Sequence, residues 1–230
     1  MTTPVRWYRL DTADRVAAEA ARRIVAQAQQ AIAARGRFRI VLAGGSTPER
    51  CYRLLAASDC DWPHWHVYFG DERCLPADHP ERNSVMVRRS LLAQAAIPDE
   101  QVHVIPAERG PEAAARAYEP LVRAALPFDL VLAGVGEDGH TASLFPGHDW
   151  PAGRLVVPVR DAPKPPPERV SLSLAALDDC RRMLVLATGE GKRDALRRWR
   201  DGADLPVARL AARDGVEVLA DAAALPDASP

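Results

Sequence analysis

The sequence predicts an α/β fold: one open, mostly parallel sheet with helices on both faces. Three observations lead there. Short apolar runs alternate with helical patterns along the chain, as expected of parallel strands joined by helical crossovers. Runs such as IVLA (40–43) and LVLA (130–133) are apolar at every position, as in a sheet covered on both sides. The 230 residues, 47% of them hydrophobic, suffice for one substantial core.

RWYRL (6–10) reads as the first strand. The stretch 11–35 then repeats Val16, Ala20, Ile24, Ala28 and Ile32 at i+4, which gives a helix one buried stripe, and Gly36 stops it. FRIVLA (38–43) is the second strand, followed by HVYF (66–69) and VHVI (102–105). Residues 111–125 carry another helical pattern and lead into FDLVLA (128–133). RLVVPV (154–159), RVSLSL (169–174) and RMLVLA (182–187) follow, then a helix over 190–200 and a last strand, VEVLA (216–220). DAPKPPPER (161–169) is a stiff Pro-rich loop with strands on both sides, so it is not read as a linker. With no internal repeat, residues 1–230 are expected to form a single Rossmann-like domain.

Lys plus Arg number 30 against 31 Asp plus Glu, a net charge of -1. That balance argues against nucleic-acid or membrane partners and still permits a local basic pocket. The four cysteines form no C-x-x-C pair, the N-terminus lacks an apolar signal region, and no run reaches the roughly 20 apolar residues of a membrane span. A reduced, cytoplasmic location is the expectation. Cys60, His64, His66 and Cys74 lie close in sequence, but their spacing fits no familiar zinc pattern, so no metal is expected.

In open α/β sheets ligands gather where loops leave the carboxyl ends of strands. The loops after residues 43, 69, 133 and 187 therefore matter most. The first begins GGST: Gly44 and Gly45 allow close backbone approach, and Ser46 and Thr47 stand at a helix start. Thr47 reads as the N-cap, with Pro48 at the first helical position. Such a turn suits a phosphate through its free N–H groups and the helix dipole, or it is simply a tight turn without a ligand. The second loop opens with Asp71, Glu72 and Arg73, either a solvated charge run or part of a site.

The third loop, GVGEDGHTASLFPG (134–147), contains G-x-G-x-x-G. A dinucleotide-binding turn requires a helix directly after the last glycine, and Pro146, Gly147, Pro151 and Gly153 forbid one. No dinucleotide cofactor is expected. What remains is a histidine, His140, exposed by glycines, with an unperturbed pKa near 6.5 suited to proton transfer. Asp138 or Asp71 is placed to bond its ring and set the tautomer.

Taken together, GGSTPE, GDER, HPERNS, FDLVLAGVGEDGHTASLFPG, DAPKPPPERVSLSL and TGEGK resemble the 6-phosphogluconolactonases, within the larger family that includes the glucosamine-6-phosphate deaminases. The pieces span residues 42–192 in family order. One departure is Cys74, where the family often has Trp. The resemblance implies hydrolysis of 6-phospho-D-glucono-1,5-lactone to 6-phosphogluconate in the oxidative pentose phosphate pathway, with His140 as base and neither metal nor organic cofactor. It further implies that Gly44, Gly45, Ser46 and Thr47 hold the phosphate together with Arg169 and Lys192. Arg73 is assigned to the developing oxyanion, and Asp71 and Asp138 to orienting His140 or substrate hydroxyls. The expected partner is the small phosphorylated lactone alone, and the chain is expected to act as a monomer.

Two rival functions stay in view. The related deaminases read DGHxAFNEP, with a Glu that assists ring opening; here Phe145 occupies that position, and Phe145 cannot relay a proton. A non-catalytic sugar-phosphate sensor would need a DNA-reading module, for which neither flank of the domain offers an expected segment.

Overall fold

The computed structural model describes residues 4–225. Residues 1–3 and 226–230, included in the single-domain expectation, lie outside the described residues. The strands are β1 (Val5–Leu10), β2 (Phe38–Leu42), β3 (Trp65–Phe69), β4 (Asp71–Arg73), β5 (Val102–His103), β6 (Phe128–Gly134), β7 (Val156–Val159), β8 (Arg169–Leu172), β9 (Cys180–Ala187) and β10 (Val216–Asp221). The helices are α1 (Ala13–Arg35), α2 (Ser46–Ala56), α3 (Asn83–Val87), α4 (Pro111–Ala125), α5 (Leu174–Asp178) and α6 (Arg193–Arg200).

Seven strands form one sheet in the order β1-β10-β9-β6-β2-β3-β5, with every neighbouring pair parallel. The strand order turns back between β2 and β6, the switch point at which an open sheet leaves a crevice beyond its carboxyl ends. β6 is the most buried of these strands, and its Phe128, Leu130, Val131 and Leu132 carry the core that the apolar run foretold.

α1 forms because its apolar side chains recur on one stripe between two good caps. The Thr12 hydroxyl accepts from Arg15 N at 3.2 Å, and Gly36 closes the helix in the left-handed region at φ 69°. Val16, Ala20, Ile24 and Ala28 are buried as the spacing predicts. The stripe ends on Ala31, with Ile32 only half-buried. α1 packs beside α2 on one face of the sheet.

The other face departs from the expectation of one sheet wrapped only by helices. RLVVPV and RVSLSL do not join the parallel sheet: β4, β8 and β7 form a separate antiparallel sheet, and α4 lies against it. Residues 160–168 are too few for the crossover of a dozen or more residues that a parallel neighbour requires, so the chain returns antiparallel. The DER segment, read above as a loop, is the third strand of this small sheet. Among the described residues, no helix is long and apolar enough to cross a membrane.

Candidate active site

A cavity of about 270 Å³ opens at the carboxyl ends of β2, β6 and β9, and the small sheet forms one of its sides. The loops after residues 43, 69, 133 and 187 all reach it. Its chemistry divides into an acid–base end and a cationic end.

The acid–base end is a single turn. Gly136 N donates to His140 O at 2.7 Å, and Gly139, at φ 90°, completes the reversal. Gly136 has no substitute here, since a Cβ at that position would run into the His140 ring. Asp138 Oδ1 accepts from His140 N at 3.1 Å and lies 2.6 Å from Nδ1. Burial pushes the Asp138 carboxyl up, but the hydrogen bonds and charge of His140 outweigh it and hold the group below the ordinary carboxylate range. An ionised Asp138 keeps the proton on Nδ1 and leaves the Nε2 lone pair free to accept one.

The opposite side of the imidazole meets Phe145, with ring centroids 4.8 Å apart. Phe145 is almost fully buried, and the Arg169 guanidinium stands 5.7 Å over the same ring. Next to His140, Ala142 lines the cavity at φ 49°. This left-handed conformation costs a non-glycine residue about 1–2 kcal/mol, and such strain tends to collect at functional sites.

The cationic end is built on the start of α2. Gly45, at φ 107°, is the N-cap, so the expectation that Thr47 caps the helix is corrected. A glycine adopts this entry angle without strain, which places Ser46 and Thr47 inside the first turn. Freed from capping, the Thr47 hydroxyl lies 2.6 Å from that of Thr188. The N–H groups of Ser46 and Thr47 precede the first helical hydrogen bond, from Glu49 N to Gly45 O at 3.0 Å, and both residues line the cavity. Lys192 is half-buried here; desolvation lowers its pKa, opposed by the charge of Glu137. Glu137 also pairs with Lys164 at 3.1 Å across the rim.

Arg169 stands in the cavity wall with its fork already partly used. Nε donates to Pro166 O at 3.1 Å and Nη2 to Lys164 O at 2.8 Å, which leaves Nη1 for a ligand. Carbonyls of the Pro-rich loop thus take the Nε and Nη2 donors, and the two N–H groups of Nη1 remain.

Asp71 and Arg73 occupy the β4 side. Asp71 accepts from Ser143 Oγ at 2.5 Å and from Asn83 Nδ2 at 2.9 Å, so it orders these two side chains, while Asp138 takes the His140 ring. Arg73 Nη1 donates to Glu81 O at 3.0 Å and to Asn83 Oδ1. Behind them Glu72 is fully buried. It accepts from the N–H groups of Arg73, Asn83 and Ser84 at 2.9, 2.7 and 2.8 Å and pairs with buried Arg82 at 3.4 Å. Asn83 and Thr188 line the cavity and Ser143 stands behind it on Asp71; the sequence reading singled out none of the three. All three lie within the HPERNS, FDLVLAGVGEDGHTASLFPG and TGEGK pieces, but short uncharged side chains carry no chemical signature of their own. Cys74 does not line the cavity, and burial raises its thiol to about 11. Among the described residues, no group of three His, Cys, Asp or Glu side chains is placed to hold a metal ion.

Comparison with known proteins gives a consistent result. Residues 11–219 match the family model described as glucosamine-6-phosphate isomerases/6-phosphogluconolactonase. A 6-phosphogluconolactonase of Mycobacterium tuberculosis is 41% identical over 207 residues, covering 83% of this chain and 84% of that protein. The human 6-phosphogluconolactonase is 41% identical over 178 residues, covering 72% of this chain and 69% of its own. The crystal structure of a 6-phosphogluconolactonase from Thermotoga maritima superposes with a TM-score of 0.89 at 27% identity, covering 95% of this chain and all of that one.

Proposed function

Because the chain belongs to the glucosamine-6-phosphate isomerase/6-phosphogluconolactonase family, we propose a reaction path for its lactone hydrolysis from the residues of this cavity. The enzyme hydrolyses 6-phospho-D-glucono-1,5-lactone to 6-phospho-D-gluconate, a step of the oxidative pentose phosphate pathway. The observation that carries the path is His140 at the cavity, with Nδ1 held by Asp138 at 2.6 Å and an apolar ring at its back.

The substrate phosphate sits at the start of α2, against the Gly44–Thr47 backbone, Lys192 and the remaining Nη1 of Arg169. Anchored there, the lactone presents C1 to His140. Nε2 removes a proton from water as the water oxygen attacks C1. The carbonyl becomes a tetrahedral oxyanion, and Arg73 lies on the side where that charge is stabilised. Collapse breaks the bond from C1 to the ring oxygen, which takes the proton from the imidazolium. Water has been added across the ester, and the acid product ionises in solution. Ring opening of an amino sugar needs a second proton-transfer group beside the histidine, and Phe145 supplies none. A monomer is the proposed working unit. The cytoplasm, where thiols such as buried, unpaired Cys51 and Cys180 stay reduced, is its proposed location.

Freshly prepared lactone and proton release provide the test. His140→Asn should lower kcat about 10²- to 10⁴-fold, the usual worth of a positioned general base. Near-normal turnover in a folded variant overturns the assignment.

A further inference from the structure

We propose that Asp221, outside the cavity, is a positioning residue for the cationic end: it fixes the backbone of the loop that carries Thr188 and Lys192. The inference rests on the phosphate-binding role given to that end above.

Asp221 is the last residue of β10, and the parallel register pairs Ala220 with Ala187 at the end of β9. Its side chain therefore stands level with the residues that follow β9. The carboxylate is buried, at 6% exposure, and both of its oxygens accept from Gly189 N, at 3.0 and 3.1 Å. Oδ1 also accepts from Ala224 N at 2.8 Å, so the same group ties down the chain that leaves β10. Gly189 lies at φ 87° and caps the turn Glu190–Lys192, in which Lys192 N donates to Gly189 O at 3.1 Å.

The neighbouring residues explain why this matters for binding. The Thr188 side chain reaches across to Thr47 on α2, while the very next N–H points the other way, into Asp221. The loop is thus held from inside by a hydroxyl pair and from outside by a carboxylate. Lys192 has a long, flexible side chain. Its ammonium can serve a phosphate at low entropic cost only if the backbone beneath it is already fixed. A second tie supports the same segment: Arg193 Nε donates to Ala223 O at 3.1 Å. Asp221 touches neither the substrate site nor His140, so its removal should loosen binding and spare the chemical step.

The test compares the full-length parent with Asp221→Ala and Asp221→Asn. Asp221→Ala should raise KM for the phosphorylated lactone about tenfold and the Ki of inorganic phosphate in parallel, with kcat within about twofold of the parent. Asp221→Asn keeps an acceptor oxygen for both N–H groups and should restore KM and Ki to near the parent values. Unchanged KM and Ki in folded Asp221→Ala overturn the inference, as does a loss confined to kcat or an Asn variant as impaired as Ala. If Asp221→Ala does not fold, Asp221→Ser is read by the same criteria. A parent that binds phosphate by calorimetry but releases no protons from the lactone would refute the proposed reaction. The calorimetric comparison of parent and variant would still decide the role of Asp221.

Discussion

The two sides of the cavity are each held from behind by a buried carboxylate, and the two carboxylates are not equivalent. On the β4 side Glu72 binds three N–H groups and faces the Arg82 guanidinium, itself tied to Ile105 O at 2.8 Å and Glu108 at 3.0 Å. On the β9 side Asp221 holds Gly189 and Ala224 through backbone N–H groups. A buried charge pair is part of the fold, since removing one partner leaves the other charge uncompensated in the interior. A carboxylate bonded only to backbone N–H groups governs one loop and the short segment that leaves β10. One side of the site is therefore inseparable from global stability, and the other is adjustable.

The largest expected effect breaks this contrast most directly. Glu72→Ala should cost about 3–5 kcal/mol of unfolding free energy in urea titrations, whereas Asp221→Ala should cost much less. Equal losses for the two variants would erase the distinction. Next comes a control at the opposite end of the sheet. Burial raises the Asp178 carboxyl to about 6, with one opposing hydrogen bond from Ala211 N at 2.8 Å. Its folded pKa thus exceeds the value near 3.9 of an unfolded chain, so the folded state binds the proton more tightly. The associated stability is present below about pH 4 and is lost as pH rises to about 6. Asp178→Asn, which still accepts from Ala211, should raise stability by about 1 kcal/mol at pH 7.5, allowing for solvent screening, and leave it unchanged near pH 4. Thermal melts at both pH values check this, and an altered KM would mean that the two ends of the sheet are coupled. The smallest effect tests the link across the cavity. Thr188→Val removes the hydroxyl facing Thr47 and should raise KM a few-fold, at under about 1 kcal/mol of stability. A change in kcat alone would place Thr188 with the chemistry instead.

How far the sequence could be read follows from the physics of each part. The parallel strands announced themselves because burial on both faces leaves continuous apolar runs such as that of β6. β4 did not: three residues are too short to show a period, and its partner β8 lies nearly a hundred positions away. The turn holding Asp138 and His140 was readable because its glycines and its chemistry are contiguous. Asn83, Ser143 and Asp221 were not, since each acts through a hydrogen bond set by tertiary packing. Arg169 was placed in the site by sequence, but the use of its fork depended on carbonyls of a Pro-rich loop whose path no pattern gave. Thr47 was displaced as a cap because Gly45 takes that position in a conformation closed to threonine.

Asp138 and His140 stand two positions apart in sequence, whereas Thr47 and Thr188 meet across 141. Loop-closure entropy is therefore distributed very unevenly over a site that works as one. The Asp138–His140 pair needs only a local reversal of chain, but the Thr47–Thr188 pair forms only when β2 and β9 have joined one sheet. In this topology the proposed phosphate contacts are the non-local part of the site, and the turn that carries His140 is the local part.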